Sequence, residues 1–153
     1  MLLTSWEAYA GCDDPPAPRV DWWHCEFDGR DMPGADFTES MMRAVSISGA
    51  DLSKTIFVNA DVKRANFFGS DLRGADFTNA KLREADFTKA DLKGAKFIAS
   101  DLRHARLQST KLYGANFTAA NIEEADFYKA DLTGAIWLDG VKVCKKGSLG
   151  ECK

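Results

Sequence analysis

The residues able to do chemistry are few, and most lie near the ends of this chain. Four cysteines form two local pairs, Cys12 with Cys25 and Cys144 with Cys152. Cys12, Cys25 and His24 between them could offer three ligands to zinc. Structural zinc sites favour closely spaced cysteines, and neither pair is closely spaced. An even count in the flanks, with none in the middle, points instead to two disulfides clipping the ends. The two histidines, His24 and His104, are far apart in the chain. Serine and threonine are frequent, but no nucleophile elbow, phosphate loop or H-E-x-x-H motif occurs. The chain is therefore read as non-enzymatic, with no cofactor and no metal.

Composition narrows the choice further. The chain has 153 residues, enough for one domain, and a formal net charge of -3. A non-specific nucleic-acid binder is usually basic, and an acidic mimic of nucleic acid would be far more negative. No run of about 18 apolar residues is present, so no transmembrane helix is expected.

A period of five dominates the middle of the chain. From Phe27 to Trp137, every fifth residue is large and apolar, through 23 positions without a break. The column two residues earlier is small, apart from Arg30 and Val45. Asp or Asn commonly precedes the large residue. Five matches neither the helical nor the strand period, so no single long element buries every fifth residue. A chain that turns once per unit does, with one large and one small side chain inward.

The columns repeat again at twenty. Phe37, Phe57, Phe77, Phe97 and Phe117 lead to Trp137; Leu52, Leu72, Leu92, Leu112 and Leu132 form a second set. Like stacking on like every fourth unit predicts a four-sided coil of about twenty residues. Nearly six such coils, stacked at strand spacing, make a rod roughly 28 Å tall. Gly34, Gly74, Gly94, Gly114 and Gly134 share one corner, broken by Lys54. That glycine column predicts a positive-φ turn there. Arg30 predicts an irregular first coil. Met41, Val45 and Ile56 mark the second coil for a bulge or a contact.

These units resemble the pentapeptide-repeat family, A-(D/N)-(L/F)-x-x, as in Ala75-Asp76-Phe77-Thr78-Asn79 and Ala130-Asp131-Leu132-Thr133-Gly134. The resemblance covers about residues 25–139. It implies an all-β fold, the right-handed quadrilateral β-helix. It divides the chain into an N-terminal segment and cap (1–24), the solenoid (25–139) and a C-terminal cap or tail (140–153). The tail from Cys144 to Cys152 also looks like endings on some exported bacterial members. Solenoids need caps over their exposed core. Trp22 or Trp23 is expected over the first coil, and Trp137 and Leu138 near the other end.

Location and role follow as expectations. Ala8-Tyr9-Ala10 has the small-x-small form of a signal-peptidase site, and Tyr9-Ala10-Gly11-Cys12 loosely resembles a lipoprotein box. With the cysteine pairs, this favours a periplasmic or secreted protein over a cytoplasmic one. Arg43, Lys63, Arg83 and Arg103 follow the large residue on one side, forming a basic stripe that ends in Glu123. Asp31, Asp51, Asp71, Asp91, Lys111 and Asp131 precede it on another. Neighbouring columns would neutralise these charges, or an anionic partner would take the stripe. The expected role is a rigid protein-interaction or scaffold surface for a protein partner still to be identified. The alternatives are a DNA-mimic modulator of a type II topoisomerase, as in some members with this fold, and a structural, self-associating envelope protein.

Overall fold

The computed structural model describes residues 11–153; the Ala8-Tyr9-Ala10 motif lies outside the described residues. Each five-residue unit is a short extended stretch and a turn. Ala80 donates its N–H to Phe77 O at 3.0 Å, and Ala95 donates to Leu92 O at 3.0 Å. The residue before each of these donors has a positive φ, 58° at Asn79 and 66° at Gly94. A carbonyl-to-amide bond across four residues with a positive third φ is the pattern of a type II turn.

The glycine column has the positive φ that the sequence predicts, 66° to 71° from Gly34 to Gly134, but the other corners have it too. Four successive corners, Glu84, Lys89, Gly94 and Ala99, have φ of 61°, 62°, 66° and 53°. All four sides need the left-handed residue, and ordinary side chains occupy most of these positions. They project into solvent, so the cost is the intrinsic one of that region. The coil hydrogen bonds outweigh it. The structure shows no conformational reason for glycine to favour one corner.

Those bonds join each unit to the coils below and above. Asp76 donates to Thr55 O at 2.9 Å, Phe77 donates to Lys96 O at 2.7 Å, and Asn79 donates to Ile98 O at 2.9 Å. Parallel bridges accordingly link residues twenty apart, from Asp21 with Met41 to Asn116 with Ile136. The ladder runs through Met41, Ser46 and Ile56, so the second coil has no bulge there. Val45 is fully buried, while Met41 and Ile56 are exposed. The irregular place is Arg30. Asp51 donates to the Asp31 carboxylate at 2.8 Å instead of to the backbone. The exposed Arg30 guanidinium lies 5.4 Å from the Phe27 ring centroid.

Inside, the columns pack as read. Rings of Phe37, Phe57, Phe77, Phe97 and Phe117 stack at 4.8 to 5.2 Å. The neighbouring Phe67 and Phe87 meet them edge-on at 5.6 to 6.0 Å, a favoured geometry for aromatic pairs. Leu52, Leu72, Leu92, Leu112 and Leu132 are fully buried. Hydroxyls in the small column close onto backbone carbonyls: Thr55 donates to Leu52 O at 2.7 Å, and Thr110 donates to Leu107 O at 2.6 Å. Each buried hydroxyl thereby keeps a partner.

The repeat's Asp or Asn has a local reason. Asp76 Oδ1 accepts the Thr78 N–H at 3.0 Å and the Thr78 hydroxyl at 2.6 Å. Asn116 does the same for Thr118, at 2.9 and 2.6 Å. The side chain thus holds the entry to the turn. Asp76→Ala should cost roughly 1 kcal/mol, measured by chemical denaturation. Asp76→Asn should cost far less, because Asn116 performs the same task.

Ionised carboxylates accept these bonds best. The Thr38 hydroxyl, then its amide, hold Asp36 below its ordinary value, and Gln108 does so for Asp126. A depressed folded pKa contributes stability that is present above the unfolded value and lost as pH falls through the folded one. The chain should hold constant stability near neutrality and weaken below about pH 4. A thermal midpoint that rises on acidification would contradict this.

The ends are closed by different means. Trp22 is fully buried at the core position five residues before Phe27, with ring centroids 4.2 Å apart, while Trp23 is 65% exposed. Cys12 is bonded to Cys25 and Cys144 to Cys152. At the far end the chain turns back and pairs antiparallel, Val143 with Ile136 and Leu149 with Asp131. Trp137 and Leu138 are half-buried against the core.

Candidate interaction face

The repeat register places Arg43, Lys63, Arg83 and Arg103 one above another on a single side. They are not a bare row of cations. Arg43 donates to Asp61 Oδ2 from Nε at 2.8 Å and from Nη2 at 2.6 Å, and Lys63 lies 3.9 Å from the same oxygen. Arg83 lies 3.6 Å from Glu84, and Arg103 lies 2.8 Å from Asp101. The Arg103 guanidinium holds the Asp101 carboxyl below its usual range, and Arg64 does the same for Glu84. Asp61 is the buried member. Its side chain is 9% exposed, and Oδ1 has no partner among the described residues. Neutralisation comes from within the same side: Asp61 serves Arg43 of the neighbouring coil and Lys63, the adjoining Glu84 serves Arg83, and Asp101 serves Arg103.

The acidic column is relieved in the same way. Asp71 is bound by Arg73, and Asp91 by Lys93 at 3.6 Å and Lys111 at 3.5 Å. Exposed pairs of this kind contribute little stability. They do relieve repulsion between like charges one strand apart.

The stripe has relief as well as charge. An open hollow of about 540 Å³ runs along it, bounded by Trp23, Arg43, Lys63, Arg64, Arg83 and Glu84. A smaller hollow of about 210 Å³ adjoins it, lined by Asp21, Trp23, Met41 and Arg43. Arg103 lies outside both. Of the outward apolar residues visible in the sequence, Ile56, Phe68, Tyr113 and Tyr128 are exposed, whereas Val58 and Ile98 are half-buried. Trp23 and Met41, the pair that adjoins the stripe, are not legible as a patch from sequence. The signal was available: Trp22 falls on the five-residue register, which forces Trp23 outward.

The remaining candidates take up other roles. Cys12 and Cys25 are consumed by their disulfide, and His24 is exposed beside Trp23, with rings 4.9 Å apart. His104 contacts Glu124 at 3.0 Å. Four coils separate the histidines, about 19 Å, too far for shared chemistry. No metal-binding cluster occurs among the described residues, and no helix there is long and apolar enough to cross a membrane.

Comparison with known proteins agrees with this architecture. The pentapeptide repeats family matches in eight copies, over residues 24–59, 60–97 and 100–136. No curated protein matches the chain. Among solved structures, a pentapeptide repeat protein from the Arabidopsis thaliana thylakoid lumen is 23% identical. The match covers 84% of both chains with a TM-score of 0.50. HetL, a pentapeptide repeat protein involved in heterocyst differentiation regulation in the cyanobacterium Nostoc, is 26% identical. There the match spans 80% of this chain and 65% of HetL, with a TM-score of 0.50. Rfr23 from the cyanobacterium Cyanothece is 21% identical over 76% of this chain and 90% of its own, with a TM-score of 0.49. The repeat columns, the twenty-residue ladder and the family match together make this chain a member of the pentapeptide repeat family.

Proposed function

We propose that the chain is a non-enzymatic binding rod, a right-handed solenoid of nearly six coils whose contact face is the stripe of Arg43, Lys63, Arg83 and Arg103. The observation that carries the reading is the hollow beside Trp23, which follows three of these four residues. A tryptophan that is 65% exposed beside arginines is the composition of an interface anchor. Around the hollow, Arg43, Lys63, Arg64 and Arg83 stand against Glu84, so the partner is a protein that presents carboxylates. Complementary charge would steer the encounter and fix the register. The rod changes little on binding, because the middle coils are held by bonds to both neighbouring coils.

Affinity capture tests this. The non-reduced protein and a variant carrying Arg43→Glu, Lys63→Glu, Arg83→Glu and Arg103→Glu are exposed to an extract of the source organism. A partner held by the native bait alone supports the stripe. A partner held equally by both moves the site elsewhere, and none at all refutes a binding role under those conditions. Arg43 is bonded to the buried Asp61, so folding of the variant must be checked by circular dichroism.

The two disulfides favour an oxidising compartment, and we place the protein outside the cytoplasm. Alkylation in intact cells followed by mass spectrometry should find all four cysteines protected until reductant is added. Free thiols in the cell would overturn this location.

A further inference from the structure

The corner column beside the basic stripe has a gap. From coil to coil it reads His24, Ala44, Arg64, Glu84, His104 and Glu124. Ala44 alone in this column has no side chain long enough to lie over its neighbours. The backbone does not demand alanine, since Ala44, Arg64 and Glu84 share the left-handed turn, with φ of 55°, 58° and 61°. The missing bulk helps to open the stripe. The hollow of about 540 Å³ has Ala44 in its lining, between His24 and Arg64. Trp23 and Arg43 line this hollow and the smaller one of about 210 Å³ as well. They form the shared wall of a two-part groove.

The two parts differ in chemistry. Trp23 and Met41, 65% and 52% exposed, give the small hollow its apolar lining. Asp21 borders it and accepts the Trp23 N–H at 3.3 Å. The larger hollow is cationic. Arg43 spends Nε and Nη2 on Asp61, and its Nη1 has no acceptor among the described residues. Lys63 lies 3.9 Å from Asp61, while Arg64 and Arg83 share Glu84 at 2.9 and 3.6 Å. Four cations thus face two carboxylates. These ties hold the cations in place and still leave donors free, so an entering carboxylate meets a preformed set.

We infer that this groove reads an extended acidic segment of the partner that carries one apolar anchor. The anchor sits against Trp23 and Met41, and the carboxylates run up the rod past Ala44. The inference rests on the stripe being the contact face. Spacing sets the pattern. Adjacent coils are about 4.8 Å apart, so Arg43 to Arg83 spans roughly 10 Å. Side chains on one face of an extended chain recur at roughly 6.7 Å, so two carboxylates two residues apart fit within that span. Asp21 sets the direction, because it repels a carboxylate from the apolar end. The segment therefore reads apolar-x-acid-x-acid, starting at the end of the rod nearer Trp23. Ala44 leaves room for its backbone to lie close to the coil. A buried anchor supplies affinity, and charge fixes the register.

Fluorescence anisotropy with labelled peptides tests this. The probe is Leu-Ser-Glu-Ser-Glu. Its controls replace the leucine by serine, or move it between the acids as Glu-Ser-Leu-Ser-Glu. The native rod should bind the probe about tenfold more tightly than either control. Met41→Ala should erase that preference. Ala44→Gln should weaken the probe about tenfold by filling the gap. It leaves the fold intact, because Arg64 and Glu84 carry long side chains at equivalent corners. Lys63→Glu with Arg83→Glu should weaken all three peptides. If the leucine or its position makes no difference while the reversals still weaken binding, the stripe remains the contact face and the inference falls. The inference also falls if Ala44→Gln has no effect. Binding that is indifferent to the reversals overturns both. If no peptide binds at millimolar concentration, the inference falls, and affinity capture with whole proteins decides the stripe separately.

Discussion

Phe77→Ala should destabilise the rod by about 3–5 kcal/mol. Phe77 is fully buried and touches four rings. It stacks on Phe57 at 4.8 Å and Phe97 at 5.2 Å, and meets Phe67 and Phe87 edge-on at 6.0 and 5.6 Å. Alanine removes the transfer free energy of the ring and leaves a hole. The hole cannot collapse, because the backbone around it is pinned by coil-to-coil bonds above and below. Phe97 and Phe57 cannot slide together without breaking the spacing of the ladder. Phe77→Leu should lose much less, since leucine fills the equivalent place on a neighbouring side. Chemical denaturation followed by circular dichroism measures both. Equal losses for the two variants would mean that ring stacking, and not volume, dominates the column.

The position of Phe77 also decides how the loss is felt. In a solenoid, stability is close to a sum of repeat terms and nearest-neighbour terms. A fault at mid-rod weakens both interfaces of its coil, so the halves lose their coupling. Hydrogen exchange should show faster opening near Phe77 than at Leu132.

The core was legible from the sequence because one strict rule decides it. Every fifth residue faces inward, so identity at Phe57, Phe77 and Leu92 is under the same packing constraint and shows as a column. The coil length was legible for the same reason, since ring stacks on ring. What the period does not govern could not be read. The glycine column predicted one positive-φ corner correctly, but gave no sign that Glu84 and Ala99 adopt the same left-handed turn without glycine, because the coil geometry imposes it. The stripe was legible as a row of positions but not as an electrostatic surface. Whether Arg43 is free depends on how deeply Asp61 is buried and on the side-chain conformations that join them. The tail obeys no period, so its antiparallel return over two sides had no signature in composition or spacing. Only the pair Cys144 and Cys152 hinted that the segment is fixed.

That fixing has a measurable value. Replacing Cys144 and Cys152 together by serine should cost about 2–3 kcal/mol, the scale expected for a short closed loop. The bridge spans 8 residues. Cys144 is buried, donates to Ala135 O and accepts from Gly134 N–H, both at 2.8 Å. Cys152 packs against the core beside it. Without the bridge, few bonds tie residues 145–153 to the last coil: Leu132 donates to Ser148 O at 2.9 Å, Gly150 donates to Ala130 O at 2.9 Å, and Gly147 donates to the Thr133 hydroxyl at 3.3 Å. The loss should therefore be local. Exchange should rise sharply over residues 130–153, where Leu132 and Ala135 lie under the tail, and stay unchanged around Phe77. Cys12 with Cys25 should behave differently, because Cys25 stands in the small core column and is itself buried. Its replacement adds a packing loss to the loss of the clip. If the serine pair at the C-terminus instead lowered stability uniformly along the rod, the coils would be unfolding as one cooperative unit, and the tail would be part of that unit rather than a lid upon it.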